Sequence, residues 1–126
     1  MSNPAPGFKA HPGHTITVDP FAGTVEVIAN GETIARSTRA LVLKEGTYPP
    51  VFYLPLSDVS APITKSATLT HCPFKGDASY WNVEAGRTVI EDALWAYETP
   101  FDEMTAITNH AAFYPDRVDE IRATPV

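Results

Sequence analysis

Hydrophobic and polar residues alternate along most of this chain with a period of two, the signature of strands with one face packed and one exposed. The clearest case is Thr24-Val-Glu-Val-Ile-Ala29, followed by Asn30-Gly31 and then Glu32-Thr-Ile-Ala-Arg36. Asn-Gly between two alternating runs predicts a hairpin, because both central residues of a type I′ turn need positive φ. A plain two-residue turn sets Ala29 against Glu32, Ile28 against Thr33, Val27 against Ile34 and Glu26 against Ala35.

Further strands are expected at residues 15–19, 39–44, 51–54 and 67–71, with residues 56–65 a loop. A second hairpin is expected from residues 78–83 and 87–91 around Glu84-Ala85-Gly86, followed by a separate strand at 93–97. Thr99 before Pro100 reads as an N-cap with proline at the first helical position, predicting a short helix over 101–106. Pro115-Asp116 reads as the start of a terminal helical turn, with Val118 and Ile121 on one face. Residues 1–14, rich in proline and glycine, form a flexible, extended arm, and residues 15–126 a single domain.

Composition agrees with this picture. The chain has 126 residues, 44% hydrophobic and 19% charged, enough for one core. Its 12 prolines disfavour long helices, since each interior proline removes a donor and clashes with the preceding turn. The fold class expected is mainly β: one antiparallel domain with short helical turns near the C-terminus.

The net charge of −6, with only nine basic residues and no cluster of them, argues against nucleic acid, whose binders draw affinity from phosphate neutralisation. No apolar run reaches the roughly 18 residues that span a bilayer, and the first 13 residues show no basic-then-apolar leader. One cysteine, Cys72, permits no intramolecular disulfide and no multi-thiolate zinc site. A cytoplasmic protein without membrane contact, metal or cofactor is expected.

The segment Thr70-His71-Cys72-Pro73-Phe74-Lys75-Gly76-Asp77-Ala78-Ser79-Tyr80-Trp81 resembles the central signature of the DUF427 family. Other hallmarks stand in the same order: Arg39-Ala40-Leu41, then Tyr48-Pro49-Pro50-Val51-Phe52-Tyr53-Leu54-Pro55 with Asp58-Val59, then Ala93-Leu94-Trp95-Ala96-Tyr97 and Phe113-Tyr114. The resemblance covers about residues 15–120. It implies an antiparallel domain of the β-tent kind, grouped with methionine sulfoxide reductase B. Those relatives commonly hold a structural zinc through paired CxxC motifs, which this single-cysteine chain lacks. Some labels attached to the family suggest nucleotidyltransferases, but no Gly-Ser followed by paired aspartates is present. The resemblance implies no established activity.

Three residues of the signature carry candidate chemistry: Cys72 as a nucleophile, Lys75 as an imine-forming amine or as the cation that activates the thiol, and His71 for proton transfer. Adjacent strand residues point to opposite faces, so His71 and Cys72 do not form a dyad by adjacency alone. A free cysteine serves equally as a small buried hydrophobe. Arg39 either grips a ligand anion or pairs internally with Asp58 or Glu91.

Tyr53, Tyr80, Trp81, Trp95 and Tyr97 are candidates for lining a ligand pocket, alongside core packing. Alternation puts one of Tyr80 and Trp81 in the core and the other toward a groove. His11, His14 and His110 are scattered and give no metal site, and Glu91-Asp92 diverge on a strand, unlike a glycosidase pair. The function expected is a polar pocket around the 71–76 turn that binds or acts on a small anionic or carbonyl-bearing molecule. The alternative is an interaction or homodimerisation module using the aromatic, proline-rich face at residues 48–55.

Overall fold

A computed structural model describes residues 3–126. The strands are β1 (Ile16–Pro20), β2 (Gly23–Ala29), β3 (Glu32–Ser37), β4 (Leu41–Glu45), β5 (Val51–Pro55), β6 (Ile63–Cys72), β7 (Gly76–Ala85), β8 (Thr88–Ala96), β9 (His110–Phe113) and β10 (Glu120–Pro125). They form a seven-stranded sheet in the order β1-β4-β5-β9-β8-β7-β6 and a three-stranded sheet in the order β10-β2-β3. Each pairing in the two sheets is antiparallel. The mainly β expectation holds, in a form compatible with the β-tent description.

Period-two alternation gives the large sheet two apolar faces. Leu54, Trp81, Val83, Leu94 and Phe113 face the small sheet and pack on its Val25, Val27 and Ile34. Their neighbours Tyr53, Tyr80 and Ala112 belong to a second buried cluster, with Leu43, Tyr97, Met104 and Ile107. Leu94 is completely buried, and truncating such a side chain to alanine costs about 2–5 kcal/mol. The first cluster holds the sheets together. The second underlies the candidate site.

The Asn30-Gly31 turn forms with both residues at positive φ, 53° and 74°. Ala29 pairs with Glu32 and Ile28 with Thr33, as the turn dictates. Beyond them the register shifts, so Val27 faces Ala35 and Glu26 faces Arg36. This corrects the simple register. Ile34 is the extra residue, and the bulge buries both Ile34 and Ala35.

β8 corrects the expectation of two strands at 87–91 and 93–97. It runs unbroken through Asp92, which takes φ 47° at a bulge opposite Asn82. The turn before it is Gly86-Arg87, with Ala85 paired to Thr88. Asp92 holds the bulge by accepting hydrogen bonds from Ser66 (2.6 Å) and Thr68 (2.7 Å) of β6. β6 begins at Ile63, within the expected loop, and a short 3-10 turn fills Leu56–Asp58.

Near the C-terminus the helical element is a kinked 3-10 segment, Asp102–Ile107, without the expected Thr99 cap. Its first amides are already engaged, since Phe101 N–H donates to the Lys75 carbonyl and Asp102 N–H to that of Asn3. Pro115 opens a turn and no helix follows. Asp119 N–H donates to the Ile28 carbonyl and β10 then pairs along β2, so the free edge of β2 outcompetes a helical turn. In the N-terminal segment, Pro6–Ala10 is one helical turn where an extended chain was expected. The first two residues of that segment lie outside the described residues.

Candidate functional site: a tyrosine-lined cleft

One cross-strand row on the outer face of the large sheet builds the site. Tyr80 of β7 faces Trp95 of β8, Trp95 faces Ala112 of β9, and Tyr53 of β5 follows on β9's far side. Three aromatic side chains thus stand around the buried methyl group of Ala112. Trp95 and Tyr53 meet edge to face (centroids 6.2 Å apart, 85° between rings), and Trp95 Nε1 donates to Tyr53 Oη at 3.3 Å.

The same three aromatic side chains border an open cleft of about 250 Å³. Alternation supplies its walls: Leu43 and Glu45 from β4, Val51 and Tyr53 from β5, Trp95 and Tyr97 along β8 and just beyond it. Tyr48 and Pro49 of the β4–β5 turn, Tyr114 after β9, and Lys75 of the β6–β7 turn complete it. All five tyrosines of the chain thus line one cleft. A cavity of about 150 Å³ accommodates benzene, so this one suits a substituted ring.

Its charged element is a pair. Lys75 Nζ donates to Glu45 Oε1 at 2.7 Å, with the two side chains 12% and 18% exposed. His14 Nε2 lies 2.9 Å from the other carboxylate oxygen. Burial pushes the Glu45 carboxyl up, but the hydrogen bonds and charges of Lys75 and His14 outweigh it and hold the group below its ordinary range. Glu45 is therefore a carboxylate at neutral pH, and Lys75 carries a matched charge.

The turn that presents Lys75 is clamped on three sides. Gly76 has φ 123°, and a Cβ there would come within 3.3 Å of the Pro100 backbone. The Lys75 carbonyl accepts from Phe101 N–H at 2.9 Å. Gly7 N–H donates to the Pro73 carbonyl at 2.9 Å, and the His14 ring stacks on Phe74 at 4.0 Å between centroids.

The phenols of Tyr53, Tyr97 and Tyr114 stay protonated at neutral pH. Burial raises Tyr53 and Tyr97 well above the ordinary tyrosine value. Tyr114 is pushed up to about 12, first by burial and then by its hydrogen bond to Tyr80. Among the described residues no side chain pairs with the Tyr97 hydroxyl, and no buried side-chain polar atom lacks a partner. Tyr97 is also one of the residues that line the cleft.

The candidates of the sequence divide between this cleft and other places. Lys75, Tyr53, Tyr80, Trp95 and Tyr97 meet in it. Cys72 is half-buried and packs against the cluster beneath, without lining the cleft. His71 points away, 58% exposed, with Nδ1 2.7 Å from Asp77. Trp81 belongs to the core between the sheets, with Lys65 Nζ 5.6 Å from the ring centroid, so Tyr80 is the member of its pair that faces the groove. Arg39 pairs with Asp58 at 3.0 Å, outside the cleft.

Glu45 and His14 are site residues that the sequence does not single out, whereas Tyr48 and Tyr114 stand among the aromatics it offers for a pocket. Glu45 shares Leu43's strand face, a visible signal, but its partner Lys75 lies 30 positions away and no local pattern joins them. Among the described residues no three His, Cys, Asp or Glu side chains converge as a metal site would need, and no helix is long and apolar enough to cross a membrane.

A family model described as "Domain of unknown function (DUF427)" matches residues 17–124. No curated protein matches the chain.

Proposed function

The chain belongs to the DUF427 family, and from that premise we propose that the tyrosine-lined cleft binds a small planar molecule carrying a carboxylate or carbonyl group. The observation that carries this reading is the convergence of five tyrosines and Trp95 on one cleft beside a single, nearly buried ammonium group. Aromatic walls with a few convergent polar groups are the usual construction of small-ligand sites.

Lys75 is the anchor in this reading. With one donor held by Glu45, it has two N–H groups left for a ligand oxygen, and the Tyr97 hydroxyl adds another. The pair with Glu45 also balances the charge, so a neutral carbonyl suits the site as well as an anion does. Cys72, below the lining, serves packing, and the account requires no covalent step. Its single thiol suits a reducing, cytoplasmic setting.

Thermal melting with a panel of aromatic acids and ketones, benzoate and 4-hydroxybenzoate included, tests this. A compound present at 100 times its Kd adds about 2.7 kcal/mol to stability. The expected outcome is a positive shift that Lys75→Met reduces. No shift across the panel at millimolar concentration would remove the proposal.

A second reading rests on Tyr48, 71% exposed and followed by two prolines. It makes residues 48–55 a docking face for a partner or a second copy. Light scattering that gives a dimer, lost in Tyr48→Ser, would favour it, and a strict monomer would count against the second copy.

A further inference from the structure

A second cavity of about 270 Å³ adjoins the cleft and shares two of its walls, Tyr80 and Tyr114. The shared rings are nearly parallel (8° apart, centroids 6.3 Å), so the two cavities flank one aromatic pair. Their chemistry differs. The second has no Leu, Val, Ile or Pro in its lining: Thr68, Thr70, Tyr80, Tyr114, Asp92, Asp116 and Arg117 each bring a polar group, and their methyl, methylene and ring carbons supply the rest of the surface.

A hydrogen-bonded chain runs through the shared wall. Tyr114 Oη donates to Tyr80 Oη at 3.3 Å, and the Tyr80 and Thr70 hydroxyls are 2.9 Å apart. Whichever of that last pair donates, one hydroxyl proton remains free. Asp92 accepts from Ser66 and Thr68, one bond on each oxygen, and keeps a lone pair on each. Arg117 spends one N–H on the Glu91 carbonyl at 3.0 Å and keeps the rest. Donors and acceptors are therefore both available within one small volume.

That mixture selects a ligand class. Two carboxylates disfavour an anion, the guanidinium offsets part of their attraction for a cation, and the donors and acceptors around the cavity favour a ligand that can satisfy both. A hydroxyl group donates and accepts at once and matches all of them.

Resting on the proposed binding role of the tyrosine cleft, we propose that the ligand is bipartite. Its planar, carbonyl-bearing part sits beside Lys75, and a hydroxyl-rich part such as a pentose or hexose reaches past Tyr80 and Tyr114 into this second subsite.

Calorimetric titration separates the two claims. The probes are benzoate, the methyl glycosides of glucose, galactose and ribose, and the 4-carboxyphenyl glycosides of the same sugars. The proteins are wild type and the exposed double variant Asp116→Asn/Arg117→Met. The expected result is at least one carboxyphenyl glycoside binding tenfold or more tighter than benzoate to wild type. In the double variant that ratio should fall below threefold while benzoate affinity is unchanged, which also shows the variant is folded. If benzoate binds but no glycoside reaches tenfold, or the gain survives the double substitution, the second subsite is wrong and the cleft assignment stands. If neither benzoate nor any glycoside binds, both fall together.

Discussion

Replacing Lys75 with methionine retains most of the side-chain stem and removes the ammonium group that faces Glu45. At 2.7 Å, the Coulomb attraction of the pair is about 6 kcal/mol gross with an effective dielectric constant near 20. Desolvation of the two largely buried ends offsets much of this. Exposed pairs net about 0–1 kcal/mol, and breaking a fully buried one costs about 3–5 kcal/mol. Exposures of 12% and 18% place this pair between them, and His14 remains to partner the carboxylate, so the expected loss is about 2 kcal/mol.

With an unfolding entropy of about 2.1 cal/mol/K per residue, a chain of 126 residues loses about 8 °C in Tm. Because Glu45 is held below its ordinary value in the folded protein, its stabilisation is present above that value and lost as pH falls through the folded one. The wild-type advantage over Lys75→Met is therefore full at pH 7 and shrinks below about pH 4. Urea unfolding of both proteins at pH 7, 5 and 3 measures it. A difference under about 0.5 kcal/mol at pH 7, or one that does not change with pH, would show that the Lys75–Glu45 pair does not stabilise the fold.

Alkaline pH should destabilise the protein through Tyr53 and Tyr97. Their values are raised by burial, so their contribution is intact below the unfolded value near 10 and is lost as pH rises above it. At pH 11 each costs about 1.4 kcal/mol, and Tyr53→Phe should reduce the drop between pH 9 and 11 by that amount in urea unfolding; an unchanged drop contradicts the burial argument. Gly76→Ala forces a side chain to φ 123° beside Pro100 and should cost about 1–3 kcal/mol, read as a lower Tm.

The sequence shows the parts that local alternation governs. Asn30-Gly31 identifies its hairpin because the turn chemistry is confined to two residues, and Tyr80 and Trp81 divide between faces because strand pleating requires it. Bulges escape such reading. Ile34 and Asp92 each shift a register, with the Ile34 carbonyl taken by the amides of Ser60 and Ala61 and Asp92 held by Ser66 and Thr68, all from more than twenty positions away.

The site follows the same division. Lys75 could be singled out from its turn, but its carboxylate partner Glu45 stands on a distant strand, and His14, the second partner of that carboxylate, on the N-terminal segment. His71 and Cys72 are adjacent in sequence and separate in space, whereas Glu45 and Lys75 are the reverse.

The central claim is that one cleft collects every tyrosine of the chain around a ligand position. Tyrosine-ring-labelled protein, titrated with 4-hydroxybenzoate and followed by carbon-proton NMR, tests it directly. The account predicts saturable shifts of the ring signals of Tyr53, Tyr80, Tyr97 and Tyr114 together with the Trp95 indole, weakened about tenfold in Lys75→Met, while the Trp81 indole stays in place. Static tyrosine and Trp95 signals at millimolar ligand, or shifts confined to Trp81, would contradict it.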